Sequence, residues 1–352
     1  MLKRAKKNLV GLDIGSSSVK AVELQNKRGQ FELVSLGCET LPSDTIVDGQ
    51  IMELNSVSDV VSSIFRDHQI KSDRVVAGVS GHSVIVKNIM VPQMSEEELE
   101  ESIDWHAEEH IPFDIADVSL DYQITGRTHD ALQVLMAACK RDKIANIKQA
   151  IQLAGKQPVV IDVDAFALQN CYEVNYQPHP GQVVALLNIG AATMNINILN
   201  GTKSVFTRDV SVGGNQYTGL LQKELGLPFE QAESAKRGMP LPEGTEERDI
   251  LPILETVSDI LALEISKTMD FYRATAEEGE AAVQQILVSG GGSKLVGLIE
   301  YLTQRFEIPV EVFDPFRQIR VDARRFDPDY MREVVPEMAV AVGLALRGVD
   351  AR

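Results

Sequence analysis

Apolar and polar positions repeat with two different periods along the chain. Leu9 to Ile14 is a short apolar run ending in a Gly-Ser turn, Val19 to Leu24 alternates, and Phe31 to Leu36 alternates again. Side chains of a strand point to opposite faces in turn, so these segments predict three consecutive antiparallel strands joined by tight turns. Val57, Val60, Val61, Ile64 and Phe65 recur at helical spacing and predict a helix over 55–69. Val75 to Val79 predicts a buried strand.

From Val84 the texture changes. Val84 to Val91 predicts a strand closed by Pro92, and Ser95 with Glu98 forms a capping box that opens an acidic helix running to Pro112. Leu132 to Cys139 predicts a strand and Lys143 to Ala154 a helix ending at Gly155, so residues 84–157 read as a β-α-β-α insertion. Then the opening pattern returns: an apolar run from Val183 to Ile189, a small-residue turn, and an alternating run from Asn195 to Leu199. Strand, Gly turn, strand occurs twice, which is a degenerate internal repeat. Helical stretches are predicted over 216–236 and 251–276, with a break at Pro240, Pro242 and Gly244 between them. A short strand at Ile286–Val288 precedes Gly290-Gly291-Gly292-Ser293 and a helix to Arg305, and helical spacing recurs from Glu337 to Leu346.

Composition narrows the function classes. The chain has 352 residues, with 34 Lys plus Arg against 51 Asp plus Glu and a net charge of -17. Such an excess of anions argues against a general nucleic-acid binder, which needs cations to replace phosphate counterions. The basic start Met1 to Lys7 is followed by Asp13 and a polar Ser run rather than an apolar signal core, and no apolar run reaches the roughly 20 residues a bilayer needs. A protein that stays inside the cell without direct membrane insertion is expected. The three cysteines, Cys38, Cys139 and Cys171, have neither disulfide-framework nor zinc spacing and are expected to be reduced.

Three Gly-rich turns carry the candidate chemistry. Gly15-Ser16-Ser17-Ser18 offers consecutive N–H groups and hydroxyls to one point, a phosphate cradle. Asp13 precedes it and can hold a hydrated Mg²⁺, while Lys20 can supply a point charge to a phosphate. Asn188-Ile189-Gly190-Ala191-Ala192-Thr193 is the matching second hairpin. Gly290 to Ser293, between strand and helix, lets a flat ring or ribose approach the backbone. His106-Ala107-Glu108-Glu109-His110 fits an inverted zinc-protease pattern, but both His share a helical face with Leu99 and Ile103 and read as packed or rim side chains.

The order of these turns resembles the actin-like ATPase superfamily, in its FtsA-like branch. The stretches His110–Asp114, Ile161–Leu168 and Pro309–Phe316 resemble the PilM family of type IV pilus assembly proteins. The resemblance spans essentially the whole chain. It implies an actin-like, ribonuclease-H-like α/β fold of two domains around a nucleotide cleft, with an FtsA-type extra subdomain. Domain one would be 1–83, 158–182 and 335–352, the inserted subdomain 84–157, domain two 183–218 and 285–334, and its small subdomain 219–284. It also implies ATP and Mg²⁺ as cofactors. Asp13 to Lys20 and Asn188 to Thr193 match the two phosphate loops, with Asp13 and Asn188 reaching the metal through water. Gly213-Gly214-Asn215 matches a further phosphate-side Gly pair, Glu233 and Lys236 a ribose and adenine holder, and Gly290 to Ser293 the adenosine loop. Pro158–Asn170 and Met338–Leu346 match two connecting helices, and Asp164 in the first matches the position facing the attacking water. The family usually has Asp where this chain has Asn188; the missing charge predicts secure nucleotide binding with at most slow hydrolysis. The implied partners are the cytoplasmic N-terminal tail of PilN, in a groove between domain one and the insert, and other pilus assembly proteins. Localisation would be cytoplasmic, at the inner membrane through that partner. An FtsA-type filament former and a sugar or acetate kinase remain alternatives.

Overall fold

The computed structural model describes residues 8–241, 245–276 and 281–347; Met1 to Lys7, and Pro242 and Gly244 of the expected break, lie outside the described residues. The chain opens with an antiparallel meander, β1 (Val10–Ile14), β2 (Ser18–Lys27) and β3 (Gln30–Thr40), as the alternation predicts. A small ribbon, β4 (Ile46–Val47) with β5 (Gln50–Ile51), leads into helix α1 (Leu54–Asp67). Strand β6 (Arg74–Val79) then returns parallel to β1. The insert follows as β7 (Val84–Pro92), α2 (Glu96–Glu108), β8 (Val118–Arg127) and β9 (Ala131–Lys140), its three strands ordered β7-β9-β8. Helix α3 (Arg141–Leu153), strand β10 (Gln157–Val163) parallel to β6, and helix α4 (Asp164–Tyr176) complete the first half. Its sheet order is β10-β6-β1-β2-β3.

The second half repeats this topology. Strands β11 (Val183–Ile189), β12 (Met194–Asn200) and β13 (Lys203–Val210) form the meander, followed by α5 (Gly214–Leu225), α6 (Phe229–Lys236) and α7 (Glu247–Thr275). Strand β14 (Gln285–Ser289), helix α8 (Leu298–Phe306) and strand β15 (Val310–Val312) give the order β13-β12-β11-β14-β15. Helices α9 (Pro328–Val334) and α10 (Ala339–Arg347) follow. No helix of the described residues is long and apolar enough to cross a membrane.

Several expectations need correction. The insert contains a third strand, β8, whose Val118, Leu120, Tyr122 and Ile124 alternate with polar residues. Pro158 to Val163 is not the start of the first connecting helix but strand β10. Its β-branched Val159, Val160, Ile161 and Val163 suit an extended backbone, and the helix begins only at Asp164. The stretch 216–236 is two helices, because Gly226 caps the first in the left-handed conformation and Pro228 precedes the second. Helix α3, which the expected boundary groups with the insert, packs Ile147, Ala150 and Ile151 into the core of the first sheet, whereas the insert's own core runs from Ile89 to Ala138. We propose a boundary near residue 140, which follows that packing.

Helices α4 and α10 lie between the two sheets. One buried cluster joins Val22, Leu24 and Leu36 of the first sheet, Val184, Leu186 and Leu287 of the second, Leu168 and Tyr172 of α4, and Ala341 and Ala345 of α10. Helix α10 is apolar on all sides because every residue from Ala339 to Leu346 is buried. Close approach needs small residues there. A Cβ on Gly343 would fall 1.7 Å from the Ala167 carbonyl oxygen of α4, and one on Gly11 of β1 would fall 2.1 Å from that of Ala341.

Gly343→Val should therefore lower unfolding free energy by about 3 kcal/mol or more, since neither backbone can yield. Gly219→Ala, in the exposed interior of α5 with no atom within 4 Å of the added Cβ, should raise it by about 0.5–1 kcal/mol. Urea denaturation of both variants is the test; a Gly343→Val protein as stable as the parent would contradict this account of the helix contact.

Candidate functional site

The two meanders end in matched hairpins. The Gly15 N–H donates to the Ser18 carbonyl at 3.0 Å, and the Gly190 N–H to the Thr193 carbonyl at 2.8 Å. Strand register then places Asp13 opposite Lys20 in the first hairpin and Asn188 opposite Asn195 in the second. One site of the repeat thus holds a charged pair and the other an amide pair. Lys20 Nζ lies 3.3 Å from Asp13 Oδ2. Burial works against the Lys20 charge, but Asp13 and Glu337 outweigh it and hold the ammonium above its ordinary pKa.

The amide pair feeds a chain of hydrogen bonds. Asn188 Nδ2 donates to Asn195 Oδ1 at 3.1 Å, and Asn195 Nδ2 donates to Asp209 Oδ1 at 2.8 Å. The other Asp209 oxygen accepts the Gly81 N–H, just past β6 of the first half, and His82 Nε2 lies 2.8 Å from Ser211 Oγ. The two halves therefore touch beneath a cavity of about 230 Å³ that both hairpins line.

Further wall comes from the second half. Gly290 takes φ +83°, and its N–H donates to the Pro336 carbonyl at 2.8 Å. A Cβ there would meet the Ile189 carbonyl oxygen at 2.4 Å, so the turn rests on the second hairpin. Gly291 differs: the nearest atom to its would-be Cβ is Glu337 Cδ at 3.9 Å, and the position opens into the cavity. The N-terminus of α5 abuts the same hairpin, with the Gly214 N–H on the Gly190 carbonyl at 2.9 Å and the Asn215 N–H on the Ala191 carbonyl at 2.8 Å. On α6, Lys236 Nζ pairs with Glu233 and donates to Thr218 Oγ1 at 2.9 Å and the Gly214 carbonyl at 3.3 Å. Burial draws its pKa down, against the pull of Glu233.

The cavity gathers nearly every residue singled out in the sequence: Asp13, Gly15, Ser16, Ser17, Lys20, Asp164, Asn188, Gly190, Ala191, Ala192, Thr193, Gly214, Asn215, Glu233, Lys236 and Gly290 to Gly292. Ser18, Gly213 and Ser293 sit behind it. The Ser18 carbonyl closes the first hairpin, Gly213 packs on the second, and the Ser293 hydroxyl donates to the Gly290 carbonyl at 2.7 Å. Sequence reasoning missed Asp209, Lys143 and the Lys294–Glu337 ion pair, which spans 2.6 Å. Asp209 lies on β13, a strand whose Val205-Phe206-Thr207 core is the one local signal for it.

Asp164 lies where β10 passes into α4. Its Oδ1 has no hydrogen-bond partner, and Gly78 gives it room, since a Cβ there would fall 2.0 Å away. Burial, then the nearby Asp13 carboxylate, raises its pKa from 3.8 to about 7. The folded protein thus binds this proton more tightly than the unfolded chain. Stability should fall as pH rises from about 4 to about 7 and stay level above that. Because the residue is partly open to the cavity, Asp164→Asn should add only about 1–2 kcal/mol at pH 8 and almost nothing at pH 4. Denaturation at the two pH values tests this; an equal gain at both would show that the carboxylate charge is not the cause.

Comparison with known proteins agrees with this geometry. A chain of a solved PilM–PilN type IV pilus biogenesis complex superposes with a TM-score of 0.87 at 29% identity, covering 98% of this chain and all of that one. Cell division protein FtsA of Pseudomonas aeruginosa is 24% identical over 88% of this chain and 84% of its own length. MreB5 of Spiroplasma citri bound to ADP shares the fold at a TM-score of 0.53 and 14% identity, over 96% of this chain and 95% of its own. The fold is the actin-like one. The model for type IV pilus assembly protein PilM matches residues 11–349, and on that nearly complete match the chain belongs to the PilM family.

Proposed function

We propose that the chain is an ATP-binding, cytoplasmic assembly factor of the type IV pilus machine, held at the inner membrane by the N-terminal tail of PilN. The observation that carries this reading is a groove of about 730 Å³ between the insert and the first sheet. Strands β8 and β10 line it, and each is an edge strand of its sheet. Edge strands present unpaired N–H and C=O groups, a template for an extended peptide. Leu120, Tyr122, Ile161 and Phe166 add apolar anchoring surface, with Lys148 and Arg347 beside Asp121 and Asp162. Val159 is skipped in the β10–β6 register and stands 37% exposed in the groove. The solved relative is a PilM–PilN complex, which supports the same partner here.

The cavity between the halves suits a nucleotide with Mg²⁺. Its donors fit: hairpin N–H groups and Lys20 for phosphates, Glu233 and Lys236 for ribose and adenine, and the open backbone at Gly291 for the adenosine. Asp13 supplies one carboxylate and Asn188 one amide oxygen, enough for a hydrated Mg²⁺ held through water. Bound there with the nucleotide, the metal would neutralise phosphate charge. Asp164, which lines the cavity, is the carboxylate we read as facing an attacking water. Asn188 brings no charge to the second loop, and its amide is already engaged with Asn195 and Ser289, so we read hydrolysis as slow.

Two outcomes check the reading. In fluorescent-nucleotide titration, Lys20→Ala should weaken ATP binding about tenfold or more, and Gly291→Val should abolish it while leaving the fold intact. Unchanged affinity in both variants sinks the nucleotide assignment. In calorimetry with a PilN tail peptide, Val159→Glu should lower affinity about tenfold or more, with the melting temperature preserved. A folded Val159→Glu protein that binds the peptide as the parent does would remove the groove from the reading.

A further inference from the structure

We infer that Lys143, on the first turn of α3, is a second phosphate-binding cation of the cleft and lets it distinguish a nucleoside triphosphate from a diphosphate. The inference rests on the nucleotide reading above. Lys143 is 6% exposed. Lysine is almost never so buried unless its charge is paired. The other lysines of the cavity obey that rule: Lys20 has Asp13, Lys236 has Glu233 and Lys294 has Glu337. Lys143 instead donates to the neutral carbonyl of Ser80, and among the described residues no carboxylate is recorded within ion-pair distance of it.

Lys143 nevertheless lines the cavity. Gly49 and Gly81 also face Nζ, their would-be Cβ atoms 3.1 and 3.7 Å from it, so neither of these neighbours puts a side chain between the charge and the cavity. It shares its electrostatic surroundings with Asp164, whose pKa it pulls down against the raising effect of Asp13 and Asp209. The groups proposed for ribose and adenine, Glu233 and Lys236, belong to the other half. A cation beside Asp164 is therefore placed for the terminal phosphate, and an anion entering there would supply the missing partner.

The test uses the full chain and titrates ADP and a non-hydrolysable ATP analogue, each with Mg²⁺. Lys143→Met should lose about tenfold or more in affinity for the triphosphate analogue, with ADP affinity within about twofold of the parent, and Lys143→Arg should recover part of the loss. Equal weakening for both nucleotides would make Lys143 a strut for the Ser80 carbonyl and overturn the inference, as would no change for either. Should Lys143→Met fail to fold, the unmodified protein decides. Acetylation of Lys143, read by mass spectrometry, should be blocked by the triphosphate analogue more than by ADP at matched saturation, and equal blocking overturns the inference. If the parent binds neither nucleotide, the nucleotide reading itself has failed; if it binds both and Lys143→Met changes neither, only the role of Lys143 has failed.

Discussion

The structure depends on the contact between α4 and α10. Both helices are sandwiched between the two sheets, and their shared cluster holds side chains from each half. Their backbones approach so closely at Gly343 and Ala167 that no side chain fits between them. Helix α10 also lies on β1, where Gly11 leaves the same kind of space. Two similar α/β units are thereby joined through buried apolar surface, and the cavity lies where their hairpins face each other. A looser helix pair would change the separation of those hairpins, because the helices and the strands that carry the loops share one core.

Burial then sets the chemistry of the cavity. Charged groups withdrawn from water must find partners, and most here do so within one half: Asp13 with Lys20, Glu233 with Lys236. The repeat makes the contrast between the two hairpins plain. The register site that holds Asp13 and Lys20 in one half holds Asn188 and Asn195 in the other, and the carboxylate appears one strand further away, at Asp209. From there it reaches the Gly81 N–H across the halves. The second hairpin therefore exchanges local charge for a hydrogen-bonded link between domains.

The cavity and the insert's groove share a wall. Val79 lines both. Along α3, Lys143 and Ile147 face the cavity, while Ile144 and Lys148 face the groove. At the β10–α4 junction, Asp164 lines the cavity and Asp162 the groove, two residues apart on the chain. Asp162 is buried, and burial raises its pKa despite Arg347 of α10 at 3.2 Å. The ends of α10 and of the helix turn before it reach both spaces, through Glu337 in the cavity and Arg347 in the groove.

Local signals in the chain were enough for the first meander, the first two strands of the second, the repeat, the capped helix α2 and the three Gly-rich turns. Each depends on near neighbours: alternation for strands, a Ser–Glu box for a helix start, small residues for a tight turn. The candidate residues on those turns followed with them, whereas Asp164, Gly213 to Asn215, Glu233 and Lys236 came from the family resemblance. Strands β8, β10, β13 and β15 were not anticipated; β10 and β15 each need a parallel partner far along the chain, and an apolar run beside a helix does not reveal which neighbour it will take. Lys143 and Asp209 gained their place in the same way. In sequence, one is a helix residue and the other a strand residue with no pattern of its own. Only the packing of α3 on the first sheet brings Lys143 to the cavity, and only the pairing of β13 with β12 brings Asp209 to Asn195 behind it, because long-range burial and strand register, not local periodicity, decide which polar side chains are withdrawn from water together.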